Sequence, residues 1–425
     1  MPPLGPDDSS AAETLDGANP LAQYHDEFVP YDGLYMDGNS LGLPCDPALD
    51  ALDRVREAWQ DLAIEAWTEG EQPWFAYAEQ LGDRLAPLVG AAPESVVIAN
   101  ATTINIHTLV GTFYEPEGDR TRIVVDELNF PTDTYAIRSQ LRLRGLDPDE
   151  HLRIVESRDG RTIEAADVID AIDDTVALVF LPSVLYRSGQ LLDLAAVAEA
   201  TQRHGIPFGV DLAHSVGVVE HDLDAIDVDF AVWCHYKYCN AGPGAPAGLY
   251  VDAEHHGRMP ALAGWWGHDK ETQFAMNPTF TPGDSAGAWQ IGTPPVLSMA
   301  PLDGALDVIE AVDIERIRAT SIALTEYLIA LVDALPDELG YEIGTPRDPS
   351  RRGGHVALEH DHAARISEAL RDRGVVVDFR PPNVVRVCPA PLYTSYEDVR
   401  QVVEHCREIV AEERYTDYEQ SGTVS

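Results

Sequence analysis

From residue 96 onward, short β-branched runs alternate with stretches of helical spacing. Residues 96–99, 122–125, 152–155, 177–181, 207–210, 230–234 and 247–251 read as strands, with helix-length segments at 104–114, 163–172 and 194–204 between them. Such alternation predicts a predominantly parallel sheet covered on both faces, with ligands at the carboxyl ends of its strands. Upstream, Leu49, Leu52, Val55, Trp59, Leu62 and Ala66 recur at helical spacing, behind Asp46 as N-cap and Pro47 in the first turn. The stretch 67–74, with its Gly and Pro, breaks this helix, and a second follows from about 75 to 85. Beyond residue 300, a helical run over 302–335 leads to shorter strands near 355–358, 375–379 and 384–387 and a closing helix over 396–412. Residues 1 to about 25, and the tail after Asp417, have the small, polar and acidic make-up of mobile segments. The pattern therefore divides the chain into an N-terminal arm with a first helix (1–60), a large α/β domain (61–300) and a small C-terminal α+β domain (301–425).

Charge changes the picture of partners rather than of fold. Asp+Glu 72 against Lys+Arg 29 gives a formal net charge of -43, spread along all 425 residues. That excludes an affinity for nucleic acid or an anionic membrane surface on electrostatic grounds. With hydrophobic content still at 45%, it suggests a halophile's protein, whose self-repulsion salt would screen. The five cysteines are odd in number and scattered, which suggests free thiols in a reducing compartment, and no ligand spacing suggests a metal. No basic, then apolar, leader and no uncharged span occurs, so a cytoplasmic location is expected.

The chemistry centres on one residue. Arg has replaced Lys almost throughout, yet Lys237 persists among aromatics in Trp233-Cys234-His235-Tyr236-Lys237-Tyr238, the only other lysine being Lys270. An amine there can form a Schiff base or act as a base, which a guanidinium cannot. Other strand ends carry Thr102 and Thr103 at a helix start, suited to a phosphate, then Phe130 and Asp133 beside a rigid turn, and Asp211 with His214. Alone, each is more simply a cap, a turn or a core residue. Together, Lys237, Asp211, the two threonines and Phe130 supply what pyridoxal 5'-phosphate requires: an amine, a carboxylate for the pyridine nitrogen, a phosphate cradle and a stacking ring.

In these motifs the chain resembles the kynureninases, fold type I pyridoxal phosphate enzymes of the class V aminotransferase-like group. The resemblance runs from about Tyr35 to Val402 and is carried by Gly38-Asn39-Ser40-Leu41-Gly42-Leu43, Thr102-Thr103-Ile104-Asn105-Ile106-His107, Asn129-Phe130-Pro131-Thr132-Asp133 and Asp211-Leu212-Ala213-His214. It continues through the Lys237 stretch, Gly264-Trp265-Trp266-Gly267-His268, Ile291-Gly292-Thr293-Pro294-Pro295 and Arg386-Val387-Cys388-Pro389. It implies hydrolysis of L-kynurenine to anthranilate and L-alanine, in tryptophan breakdown or NAD synthesis. Lys237 would carry the cofactor, Asp211 would pair with its ring nitrogen and Tyr236 would shuttle protons. Phe130, Asp133 and His214 would surround the ring, and Thr102, Thr103 and Tyr236 would hold the phosphate. Trp265 and Thr293 would join the phosphate from the second subunit of a homodimer. Asn39, Ser40, Trp67 and Arg386 would bind substrate, Arg386 by a two-point grip on its α-carboxylate. Where some members of the family have His and Asn, this chain has Trp67 and Thr293, which implies L-kynurenine rather than its 3-hydroxy form. A cysteine desulfurase or selenocysteine lyase on the same fold, with Cys388 as the nucleophile, is the nearest rival, and a non-catalytic ligand-binding relative is the next.

Overall fold

The computed structural model describes residues 9–419. Its centre is a seven-stranded sheet in the order β2-β8-β7-β6-β5-β3-β4. The strands are β2 (Val96–Ala99), β3 (Arg122–Asp126), β4 (Leu152–Val155), β5 (Val176–Pro182), β6 (Phe208–Asp211), β7 (Phe230–Cys234) and β8 (Ala247–Val251). β8 pairs antiparallel with both β2 and β7 while the remaining pairs are parallel, so six strands share one direction and the sheet is mostly parallel, as the pattern predicts. Period-two side chains serve two cores. Val97, Ile123, Val125, Leu178, Phe180, Val232 and Leu249 face the helices Thr102–Phe113 and Pro131–Leu143, whereas Val96, Ile98, Val124, Val179, Leu181, Val210 and Trp233 face the opposite cluster.

The helix Asp46–Leu62 lies along Val296–Val312 in close backbone contact. A Cβ on Gly304 would sit 1.9 Å from the Pro47 carbonyl oxygen, so only glycine permits that approach. The C-terminal region holds a four-stranded antiparallel sheet in the order β12-β13-β10-β9. Its strands are β9 (Glu342–Ile343), β10 (Val356–Glu359), β12 (Asp378–Arg380) and β13 (Val384–Val387), with a separate core against the helix Tyr396–Ala411.

Four expectations need correction. The run over 302–335 is two helices, Val296–Val312 and Ile314–Asp333, because Asp313 turns to φ 73° and its carboxylate caps the Arg316 N–H at 2.9 Å. The strand expected over 375–379 is divided between two sheets. β11 (Val375–Val376) pairs in parallel with β1 (Leu34–Tyr35), and β12 begins afresh at Asp378 opposite Arg386. The first helix begins at Asp46, leaving Cys45 at the N-cap without a side-chain bond. Finally, residues 9–18 of the supposed mobile arm form the helix Ser9–Ala18. Its Asp16 carboxylate accepts from Tyr396 N (2.7 Å) and Glu397 N (3.1 Å), capping a helix 380 residues away. So short a helix draws its stability from that docking, which local composition cannot reveal. At the other end, the Tyr418 hydroxyl donates to Asp372 at 2.8 Å. Further along the arm a short helical turn spans Ala22–Glu27, and only 1–8 and 420–425 of the expected mobile segments fall outside the described residues.

Candidate active site

The polar residues at the carboxyl ends of the parallel strands form one buried group. β2 leads through Asn100, at φ 51°, into the helix Thr102–Phe113; Asn105 holds the turn by donating to the Ala99 carbonyl at 2.9 Å. That helix, and the helix Pro131–Leu143 after β3, both start without a side-chain cap bond. The Thr103 and Thr132 hydroxyls meet at 2.9 Å, tying the two helix starts together. Uncapped N–H groups with hydroxyls beside them suit a phosphate.

β6 ends at Asp211, whose carboxylate accepts from Ala213 N at 2.7 Å. β7 runs into Tyr236 and Lys237, a turn fixed from beneath by His235. Trp233 Nε1 donates to His235 Nε2 (2.7 Å), and His235 Nδ1 donates to the Pro246 carbonyl (2.6 Å), which makes this buried histidine structural. Lys237 Nζ donates to His214 Nε2 at 2.9 Å. Burial, and then the Lys237 charge, hold His214 well below the ordinary histidine range, so its ring is neutral. With Nε2 accepting, Nδ1 carries the proton, and it is buried without a partner.

Two buried carboxylates, Asp211 and Asp133, face this lysine, and a third, Asp126, lies behind Asp133. Burial, and next the neighbouring Asp211, push Asp133 well above the usual carboxylate range. Burial raises Asp211 as well, and raises Asp126, at the end of β3, to about 7. Both carboxyl oxygens of Asp133 and both of Asp126 lack a hydrogen-bond partner. Phe130 is 42% exposed, its ring edge-on to Tyr186 at 5.3 Å. Unsatisfied buried acceptors, an open aromatic face and a pair of uncapped helix starts fit a flat, cationic, phosphorylated ring, as pyridoxal phosphate is. Tyr236 is raised by burial and stays protonated at neutral pH, so its phenol can donate but not act as a base.

Arg386, on β13, is 1% exposed and already engaged. Its Nη1 donates to the Tyr186 carbonyl (2.7 Å), and its Nη2 to Ser40 Oγ (2.9 Å) and to Asp378. Asp378 also holds Arg380 Nη2 at 2.6 Å. The sequence reading missed Asp378, Arg380, Tyr186 and Thr132, together with His355, whose ring lies 5.8 Å from that of His214. The one available signal was Asp378 and Arg380 alternating with apolar residues in a strand. Asn39, also expected at the substrate, is wholly buried with both side-chain amide atoms unpartnered.

Trp67, Trp265 and Thr293 lie elsewhere. With Ile64, Phe75, Trp266 and Phe274 they line an apolar surface cleft of about 560 Å³, and Trp265 is 47% exposed. The ring contacts of Trp67 are with Trp74 and Trp266, and those of Trp265 with Trp266 and Phe274. His268, 7% exposed, bonds Thr272 and Thr281 N at 3.2 Å each and is structural.

A sequence profile of the kynureninase C-terminal domain matches residues 317–406. A kynureninase of Geobacillus thermodenitrificans is 50% identical over 414 residues, 97% of each chain. This chain belongs to the kynureninase family. A second member, from Bacillus anthracis, is 49% identical over 95% of each chain. Among solved structures, a cysteine desulfurase of Thermococcus onnurineus superposes with a TM-score of 0.75 at 19% identity, over 94% of this chain and 98% of that one. A mutant of C-DES with glycine covalently linked to its pyridoxal phosphate superposes with a TM-score of 0.74 at 18% identity, over 88% and 96%. Such distant likenesses establish the shared fold. The desulfurase reading needs a reactive thiol, but Cys388 is fully buried, donates to the Tyr238 hydroxyl at 3.4 Å and is pushed up to about 12 by burial.

Proposed function

We infer that the chain is a pyridoxal phosphate-dependent hydrolase that cleaves L-kynurenine to anthranilate and L-alanine. The observation that carries this is near-full-length identity of 50% to a kynureninase, in a chain whose Lys237 faces the buried carboxylates of Asp211 and Asp133. When bound, the cofactor supplies an electron sink that makes the substrate's Cα–H acidic and its Cβ–Cγ bond breakable. The rest falls to the protein. Lys237 would hold the cofactor covalently, and its free amine would take the Cα proton. Asp211, backed by Asp133, would pair with the ring nitrogen, and Phe130 would stack on the ring. Thr102, Thr103 and Tyr236 hold the phosphate. His214 keeps the Lys237 amine in line through its 2.9 Å bond. Tyr236, protonated, donates a proton as the alanine fragment departs. Arg386, with Ser40 and Asn39, receives the substrate's α-carboxylate end.

The working unit is a homodimer in this reading. Trp265 and Thr293 of one copy then complete the phosphate site of the other, which explains why an exposed apolar cleft carries two residues of the family motif. Trp67 in the same cleft meets the substrate's aromatic ring and favours L-kynurenine over 3-hydroxykynurenine. The large domain over 61–300 carries the cofactor, and the small one over 301–425 supplies Arg386. Five free, buried cysteines fit a reducing cytoplasm, and no described helix is long and apolar enough to cross a membrane. The acidic surface fits a saline interior, where activity would rise with KCl.

The test is purification in high salt, an absorbance spectrum, and anthranilate fluorescence on adding L-kynurenine, with 3-hydroxykynurenine in parallel. A yellow protein releasing anthranilate is expected. A yellow protein that releases none, but forms sulfide or persulfide from cysteine, would replace this reading with the desulfurase one.

A further inference from the structure

Arg386 cannot grip a carboxylate at two points as it stands, because its Nη1 is bound to the Tyr186 carbonyl and its Nη2 to Ser40 and Asp378. Three of its five N–H donors are spent, both of those on Nη2 among them, so neither edge of the fork is whole; its Nε is buried without a partner. A second guanidinium sits beside it. Arg380 shares Asp378 with Arg386, and its own Nε is likewise buried and unpartnered. The arrangement follows from register: β12 pairs antiparallel with β13, setting Asp378 opposite Arg386 and Arg380 opposite Val384. One carboxylate thus serves two guanidiniums, and each keeps a free donor. The Arg380 guanidinium also lies 5.9 Å from the ring centroid of Tyr186, whose edge meets Phe130, which sets it on the Phe130 side of the site.

We propose that Arg380 is a second carboxylate-binding residue: the substrate's α-carboxylate is held jointly by Arg386 and Arg380, with Asp378 as the positioning residue that aligns them. The proposal rests on the reading that the chain cleaves L-kynurenine with its α-carboxylate at Arg386. A shared Asp378 costs Arg386 its fork geometry but gains a second positive centre, so a monoanion fits better than the same molecule without its carboxylate. Buried donors left without a partner also penalise any ligand that fails to supply an acceptor.

The experiment uses the holoenzyme and two ligands: L-kynurenine as substrate, and kynurenamine, the same molecule lacking the α-carboxylate, as a competitive inhibitor. Arg380→Gln should raise KM for L-kynurenine about 10- to 100-fold, the loss expected for one charged hydrogen bond. It should leave kcat within about threefold, and the kynurenamine Ki within about twofold, of the parent values. Arg380→Lys keeps the charge beside Asp378 but loses the planar donor geometry, and should give a smaller rise of the same kind. If Arg380→Gln does not fold, Arg380→Lys carries the comparison. An unchanged KM in the folded variant overturns the proposal, and so does a KM and kynurenamine Ki that rise together, since Arg380 would then only shape the fold. Arg386→Gln separates failure of the proposal from failure of the reading beneath it. If it raises KM while the Arg380 variants do not, Arg380 alone loses its role; if it too leaves KM unchanged in an enzyme that cleaves L-kynurenine, the carboxylate reading itself falls.

Discussion

Two buried carboxylate pairs mark two ends of the site, one at Lys237 and one at Arg386, and their surroundings differ in sign. Around Asp211 and Asp133, with Asp126 behind them, the one cation acting on the pair among the described residues is Lys237, and burial raises all three acids. Around Asp378 and Asp37 there are two guanidiniums, Arg380 and Arg386. The first end has acceptors to spare and the second has donors to spare. An acceptor-rich pocket is completed by a protonated ring nitrogen, a donor-rich one by a carboxylate. The same residue type therefore does different work at each end, and the ligand's own charge pattern is written in the difference.

The largest expected effect is at Lys237. Lys237→Ala removes both the covalent anchor and the base, so turnover should fall to background and the cofactor's visible absorbance should be lost or shifted. A variant of full activity would sink the assignment.

The contrast between the ends is sharpest in stability, where one kind of substitution should act in opposite directions. Asp378→Asn leaves the buried Arg386 and the partly buried Arg380 guanidiniums without their shared anion and should destabilise the fold by about 3–5 kcal/mol, the usual cost of breaking a buried ion pair. Asp133→Asn removes a carboxyl that burial obliges to keep its proton, so the cofactor-free protein should become more stable at neutral pH. The sign follows from the raised values. Between the ordinary 3.8 of a carboxyl and the elevated folded value, the unfolded chain ionises while the fold retains its proton. Stability is therefore lost as pH rises through that window, and Asp133→Asn should flatten the decline in Tm of the cofactor-free protein as pH rises above the ordinary carboxyl value. Equal signs for the two variants would break the comparison.

How much of this was legible in the sequence depends on whether a residue's role is local. The seven strands of the large sheet were readable because apolar β-branched runs and helical spacing are properties of neighbouring residues. Lys237, Asp211, Phe130 and the threonines were readable because they follow those strands directly. Asp378 and Arg380 were not, because one strand-like run over 375–379 feeds two different sheets, and only the register of β12 on β13 brings Asp378 to Arg386. The helix Ser9–Ala18 escaped for a similar reason, its role being to cap a helix at the far end of the chain. Trp67, Trp265 and Thr293 were picked out by motif, yet a motif says nothing of which copy's cleft they complete.

The smallest effect tests the donor-rich end alone. Asp37 is 5% exposed, and burial, with Asp378 next, raises it from 3.8 to about 6 despite Arg386 and Arg380 nearby. Ser40 Oγ, Cys388 and the hydroxyls of Tyr35 and Tyr393 are its other polar neighbours. Below the unfolded value both states hold the proton and Asp37 is neutral in the balance. As pH rises towards 6 the unfolded chain releases it first, and stability falls by about 1.4 kcal/mol for each pH unit between the two values, up to about 3 kcal/mol in all. Asp37→Asn abolishes that loss, so unfolding by urea should show the variant more stable than its parent at about pH 8 and equal to it at about pH 3. A gain of the same size at both values would mean that the amide packs better for reasons unrelated to charge, and the guanidinium pair would then need no help from a protonated Asp37 to receive an anion.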